Sequence, residues 1–189
     1  MRILGVDPGT LLTGFGVIEV EGRSTTLIEC GVIRMKSAWS MPLRLREIHT
    51  KLLEVIDRTA PDEFAIESAF YAKNVQSTLK LGHARGVAIL AAVLREIPTA
   101  EYAPREIKMA VTGNGGAAKE QVAFMVTRML KMVDQPETLD ATDGLAIAIC
   151  HALRLAAPAS PVTRSSRPRG GVRGGWERYL ADNPERVAR

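Results

Sequence analysis

Along this chain, apolar residues come first in short runs and later in stripes at helical spacing. Arg2 to Asp7 (RILGVD) is a brief apolar run that reads as a buried strand, and Pro8-Gly9-Thr10 follows as a turn. Phe15–Val20 (FGVIEV) and Thr26–Met35 (TLIECGVIRM) read as two more strands, joined by a turn at Glu21-Gly22-Arg23. Pro42 opens a helical stretch in which Leu43, Leu45, Ile48, Leu52, Leu53, Val55 and Ile56 recur at helical spacing, and Pro61-Asp62 ends it. Glu63–Glu67 (EFAIE) reads as a fourth strand, Asn74–Glu96 as a second helical region, and Pro98–Tyr102 as a fifth strand. Helices are expected over 104–111, 118–132 and 140–156, separated by a Gly113-Asn114-Gly115-Gly116 loop and a loop over 134–138. There are no internal repeats. Three strands in succession followed by alternating units predict an α/β fold: a five-stranded mixed sheet, made of a three-stranded antiparallel meander plus two parallel strands, flanked by helices.

Composition bounds this picture. At 189 residues the chain is long enough for one sizeable core and too short for two full α/β domains. No apolar run approaches the roughly 20 residues needed to span a bilayer. The chain starts directly on a strand, with no signal-like segment, so a cytoplasmic location and no membrane partner are expected. Cys30 and Cys150 form no CxxC pair and are expected as buried thiols. His49, His83 and His151 lie at no metal-ligand spacing, so any metal should be held by oxygen. The net charge is +4, yet the segment 158–189 alone carries seven arginines against three acids, which leaves residues 1–157 neutral. That segment is rich in Arg, Pro, Gly and Ser and reads as a largely disordered tail behind a single domain over 1–157.

Asp7 closes the first strand and Glu67 the fourth, which puts both at the carboxyl ends of strands, where α/β sheets bind ligands. Asp140 and Asp143 lie three apart at the start of the last helix and so share a helical face. Each has a plainer explanation when taken alone. Asp140 suits a helix N-cap, and Asp7 before Pro-Gly suits a turn. Together, four carboxylates at one sheet edge would repel one another unless divalent cations neutralised them. Two Mg²⁺ ions about 3.5–4 Å apart are a known solution for phosphodiester hydrolysis.

These residues sit in blocks with a wider resemblance. ILGVDPGT, AIESAFYAKN, LKLGHARGVAILAA and DATDGLAIAICHA, in that order, resemble the successive blocks of the RuvC family of Holliday junction resolvases over roughly residues 1–156. The resemblance implies an RNase H-like fold, a homodimer and a Mg²⁺-dependent endodeoxyribonuclease that makes paired symmetric nicks in four-way junction DNA. Two ions per site are implied, with Mn²⁺ expected to substitute, and a link to the RuvA and RuvB branch-migration helicase complex. It assigns Asp7, Glu67, Asp140 and Asp143 as catalytic metal ligands. Some family members carry His at the position of Asp140, so this chain has an all-carboxylate set.

Candidate DNA contacts surround these acids. An aromatic at Phe70, with Tyr71 beside it, matches the family's base-stacking position, and such a wedge can unstack a base next to the scissile phosphate. Lys73, Lys80 and Arg85 follow, and Lys108 and Lys119 flank the glycine-rich loop, whose backbone N–H groups could also meet a phosphate. The Arg-rich tail would add salt-sensitive, nonspecific affinity. The stretch Val87–Leu94 (VAILAAVL) is apolar on every side, and Gly82 and Gly86 lie one turn apart, so this helix is either wholly buried in one core or packed on a second copy of the chain. Three other readings compete: an actin-like kinase or ATPase, which shares the opening GVDPGT but needs two such domains; an RNase H-like nuclease acting on other substrates; and a junction-binding protein without catalysis.

Overall fold

A computed structural model describes residues 1–22, 24–68, 75–132 and 138–157. Phe70, Tyr71, Lys73 and the segment 158–189 lie outside the described residues. The elements run in the order β1 (Arg2–Asp7), β2 (Leu12–Glu21), β3 (Ser24–Arg34), α1 (Met41–Thr59), β4 (Glu63–Glu67), α2 (Val75–Val93), β5 (Thr99–Tyr102), α3 (Pro104–Thr112), α4 (Lys119–Met129) and α5 (Leu139–Ala156). The sheet order is β3-β2-β1-β4-β5, antiparallel through β1–β3 and parallel from β1 to β4 and β4 to β5. This is the mixed sheet expected from the sequence.

Side-chain alternation sorts the sheet into two cores. Leu4, Val6, Phe15, Val17, Phe64 and Ile66 face α1 and α2. Ile3, Ile18 and Ala65 face the opposite way, onto α3, α4 and α5. A strand with helices on both faces is apolar at every position, and β1 shows this, with Ile3, Leu4 and Val6 all fully buried.

Local signals end the helices where the chain must turn. Ala60 takes a left-handed conformation (φ 45°) just before Pro61 and closes α1, its N–H bonding to Ile56 O at 2.8 Å. Gly113 (φ 73°) closes α3 in the same way. Two helices stop earlier than periodicity suggests. α2 ends at Val93 and α4 at Met129, with left-handed Glu96 and Lys131 in the turns that follow. Cys30 is only partly buried, whereas Cys150 is fully buried and burial pushes its thiol up to about 11.

α5 lies unusually close to the sheet. A methyl group added at Gly5 would overlap the carbonyl oxygen of Gly144, and one added at Gly14 would overlap that of Asp140. The helix backbone therefore rests directly on β1 and β2. At its far end, Tyr102 Oη and His151 Nδ1 are 2.7 Å apart, and His151 Nε2 lies 3.4 Å from Glu63 Oε2, so His151 ties α5 to β4 and β5. The chain has no slack for side chains at the glycine contacts. Gly14→Ala should lower unfolding free energy by about 1–3 kcal/mol, the usual range for overpacking, seen as a lower urea midpoint; an unchanged midpoint would mean that α5 can lift off without cost.

Candidate active site

The sheet register places the first two acids side by side. Val6 of β1 pairs with Ile66 of β4, so Asp7 and Glu67 follow one another at the same end of neighbouring parallel strands. Both point to the α5 face, because Gly5 and Ala65, two residues back, do. Asp7 is in register with Gly14, and Gly14 is the residue on which the Asp140 backbone sits. The glycine contacts therefore carry the α5 N-terminus over Asp7. Asp140 does not cap its helix: Thr138 is the N-cap and Asp140 lies inside the first turn, which leaves its carboxylate for other partners.

A cleft of about 240 Å³ opens here, lined by Asp7, Glu67 and Asp143 together with Lys108 from α3 and Lys119 from α4. A larger hollow of about 500 Å³ lies beside the glycine-rich loop and Phe124, and it contains none of the four acids. Charge rather than size identifies the site, so the smaller cleft is the better candidate.

Electrostatics in the cleft are strained. Burial, then the nearby Asp143 and Asp140, push the Asp7 carboxyl up to about 6, against a lowering by Lys119. Burial, Asp7 and Asp143 push Glu67 up to about 7, against Lys108 and Lys119. Burial also raises Asp143, even though it accepts a hydrogen bond from Lys119. Lys119 Nζ lies 3.0 Å from Asp140 Oδ1 and 2.6 Å from Asp143 Oδ2, bridging the two. Burial alone would lower the Lys119 ammonium, but its bonds to Asp143 and Asp140 outweigh this and raise it.

These observations bear on whether the site suits a divalent cation. The donor set is all oxygen, which hard cations prefer. Asp7, Glu67 and Asp143 hold protons more tightly than usual, first because they are buried and then because the acids repel one another. A side-chain ammonium already sits between two of them. Among the described residues no three His, Cys, Asp or Glu groups close into a finished cage, so the acids line an edge with Lys119 seated in it. The chemistry of the donor set fits a cation.

Other expected contacts fare differently. Lys108 and Lys119 both face the cleft. Lys80 is exposed on α2. Arg85 is turned into an ion pair with Glu101 of β5, its side chain only 21% exposed. The glycine-rich loop spends its amides internally. Gly116 N–H donates to Asn114 Oδ1 at 2.9 Å, Ala118 N–H to Gln121 Oε1 at 2.9 Å, Asn114 N–H to Thr112 Oγ1 at 3.1 Å, and Ala117 N–H to Asn114 O at 3.1 Å. Those amides therefore do not await a phosphate, and the anion-facing groups are the lysines. The His151 tie escaped the sequence reading. Its signal was position, since His151 is three turns beyond Asp140 on the stripe that also carries Gly144 and Ala148.

A sheet of this order, antiparallel through three strands and parallel through two, with helices on both faces, is the RNase H-like fold. The family model described as crossover junction endodeoxyribonuclease RuvC matches residues 3–151. The chain belongs to the RuvC family. It is 49% identical to the crossover junction endodeoxyribonuclease RuvC of Bacteroides fragilis, covering 98% of this chain and 95% of that one. It is 46% identical to the RuvC of Porphyromonas gingivalis, covering 98% and 96%. Among solved structures it is similar to Thermus thermophilus RuvC in complex with Holliday junction substrate, at 34% identity and TM-score 0.77, covering 82% and 94%. The yeast mitochondrial Holliday junction resolvase Ydc2, at 12% identity and TM-score 0.55, covers 78% and 77% and shares the fold.

The raised carboxyls set a pH dependence. Asp7 rises from 3.8 to about 6 and Glu67 from 4.5 to about 7, so between about pH 4 and pH 7 the folded state binds more protons than the unfolded state. Stability from these groups is therefore present at low pH and lost as pH rises through that window. In chelator, Glu67→Gln should show a higher urea midpoint than the parent at pH 8 and one close to it near pH 4; an equal or lower midpoint at pH 8 would contradict the charge crowding.

Proposed function

We propose that this chain is a structure-specific endonuclease that resolves four-way DNA junctions, with Asp7, Glu67, Asp140 and Asp143 as its catalytic carboxylates. The observation that carries the reading is the convergence of Asp7, Glu67 and Asp143 in one cleft, with Asp140 reached through Lys119. Family membership supports junction DNA as the substrate, since a similar structure is of RuvC with a Holliday junction.

In this reading the four carboxylates hold divalent cations, Mg²⁺ with Mn²⁺ as a substitute and two per site. When bound, these supply an activated water and stabilise the leaving 3′ oxygen. The protein's own groups do the rest. Lys108 lies on the cleft wall and offsets charge that builds on the phosphate. The fixed sheet end aligns Asp7 with Glu67, so little reorganisation is needed when a strand enters. Phe70 would stack on a base next to the cut and Tyr71, Lys73 and Lys80 would steady the strand. Arg85 would act indirectly, through its tie to Glu101. Residues 1–157 would be the nuclease domain, and the arginine-rich segment 158–189 would add affinity for any nearby duplex.

A symmetric pair of nicks needs two sites on one junction, and α2 supplies a surface for pairing. Only Ala84, Ala88, Ala91 and Ala92 of this helix are buried. Val75, Leu79, Leu90 and Val93 are 48–60% exposed, on or beside the stripe that carries Gly82 and Gly86, where an added methyl group would meet nothing. We propose that two copies pair through this face, the glycines admitting the partner's backbone. Association with the RuvA and RuvB helicase complex and a cytoplasmic location belong to the same reading. Among the described residues no helix is long and apolar enough to cross a membrane.

Two experiments test this function. Asp7→Asn should bind a synthetic four-way junction about as well as the parent yet cut it at least about a thousandfold more slowly in Mg²⁺, in line with losing a group that acts mainly in the transition state. Cutting at the parental rate would remove Asp7 from the site. Separately, Leu79→Glu should sediment as a monomer at micromolar concentration and lose paired nicking. A parent that is itself monomeric there would sink the dimer.

A further inference from the structure

Lys119 places a positive charge between two of the four acids. Its ammonium is the group that joins Asp140 to Asp143, at 3.0 and 2.6 Å. It reaches there from the first residue of α4, on a different element from both acids. Its side chain is 42% exposed, so it is not packed into the core. The acids it bridges sit on α5, whose backbone is pressed on β2 at Gly14 and cannot retreat. One partner in this contact is fixed and the other is movable.

We propose that Lys119 is an internal counter-cation that holds the place between Asp140 and Asp143 until a divalent ion takes it. This rests on the reading of those acids as metal ligands. The ammonium occupies one oxygen of each acid, Asp140 Oδ1 and Asp143 Oδ2, so a divalent ion drawn to this pair meets a positive charge already seated between them. Repulsion between the two cations sets the ion against Lys119, and its entry expels a positive charge from the acid pair. The arm starts at the wall of the cleft that Lys108 also lines, so the expelled ammonium stays within reach of a phosphate entering that cleft. Metal loading and phosphate capture are then linked through one side chain. The Asp140–Asp143 pair keeps one positive charge beside it when no ion is bound, and the cleft gains a phosphate-binding group when one is.

The test uses the full chain without DNA, with Mn²⁺ as the probe and its free-ion EPR signal as the readout. Lys119→Met keeps the length of the arm and removes its charge. It should bind Mn²⁺ roughly tenfold more tightly than the parent, the gain expected when a competing contact worth a factor of ten is lost. Lys119→Arg should bind as the parent does. In chelator Lys119→Met should melt below the parent, because the acids lose their counter-ion, and added Mn²⁺ should raise its melting temperature by more than it raises the parent's. A Lys119→Met variant that binds Mn²⁺ no more tightly than the parent overturns the proposal. Asp143→Asn separates the two ideas. If it loses Mn²⁺ binding while Lys119→Met leaves binding unchanged, the ligand reading stands and the counter-cation role falls; if it binds like the parent, the ligand reading itself falls and takes this role with it.

Discussion

The contact on which the rest depends is that between the backbone of α5 and the backbones of β1 and β2. Gly5 and Gly14 on the strands and Gly144 on the helix remove the side chains that would otherwise hold a helix well clear of a sheet. The helix then has neighbours on all sides: the sheet below, with α3 and α4 alongside. That explains why Leu145–Cys150 is apolar without a polar stripe and buried throughout. The close approach also fixes the height of Asp140 and Asp143 above Asp7. A sheet-facing alanine in place of Gly14 would raise the first turn of α5 and with it both acids. Stability and site geometry are thus set by the same missing methyl groups.

The site itself works against stability. Burial is the largest cause of the upward shifts at Asp7, Glu67 and Asp143, with mutual repulsion among the acids adding to it. Groups placed for their own comfort would lie on the surface and keep ordinary values. A fold tolerates such crowding when cores elsewhere hold the frame rigid. Here both faces of β1 are fully packed, and the last residue of that strand is the acid. The Tyr102–His151–Glu63 contacts anchor the other end of α5, so the helix cannot relieve the repulsion by tilting.

Much of this was legible in the residues, and what was not has a physical cause. Strand and helix types followed from periodicity, and Asp7 and Glu67 could be placed at strand ends because apolar runs stop there. Their adjacency needed the β1–β4 pairing, which no local pattern encodes. For Asp140 the sequence left two roles open, cap or ligand, and the position of Thr138 one residue before the helix decides against the cap. The glycines of β1 and β2 look like weak strand residues until the helix that lies on them is known. The loop at 113–116 invited a phosphate-binding reading because glycine-rich turns before helices often serve that way. Asn114 and Thr112 instead satisfy the amides, and one polar side chain inside such a loop is enough to reverse the inference. Val87–Leu94 suggested burial on every side, but alanines carry the buried face and larger side chains lie outward, a division visible only once the helix has a definite inner face.

Charge placement ties these features together. The body of the chain is neutral, an unpromising start for binding a polyanion, but its cations are not equally available. Arg2, Arg58, Arg95 and Arg154 are committed to Glu19, Glu29, Asp57 and Glu106 at the surface, where such pairs contribute little energy but do cancel charge. The cleft is lined by two lysines and three carboxylates, with Asp140 held to it through Lys119, so the bare site is net negative as long as the acids are ionised. Such a site repels a phosphate. In the two-metal reading, cations that reverse its sign are therefore a condition of DNA approach as well as of chemistry. The excess positive charge of the chain lies outside the neutral body, in the arginine-rich segment 158–189.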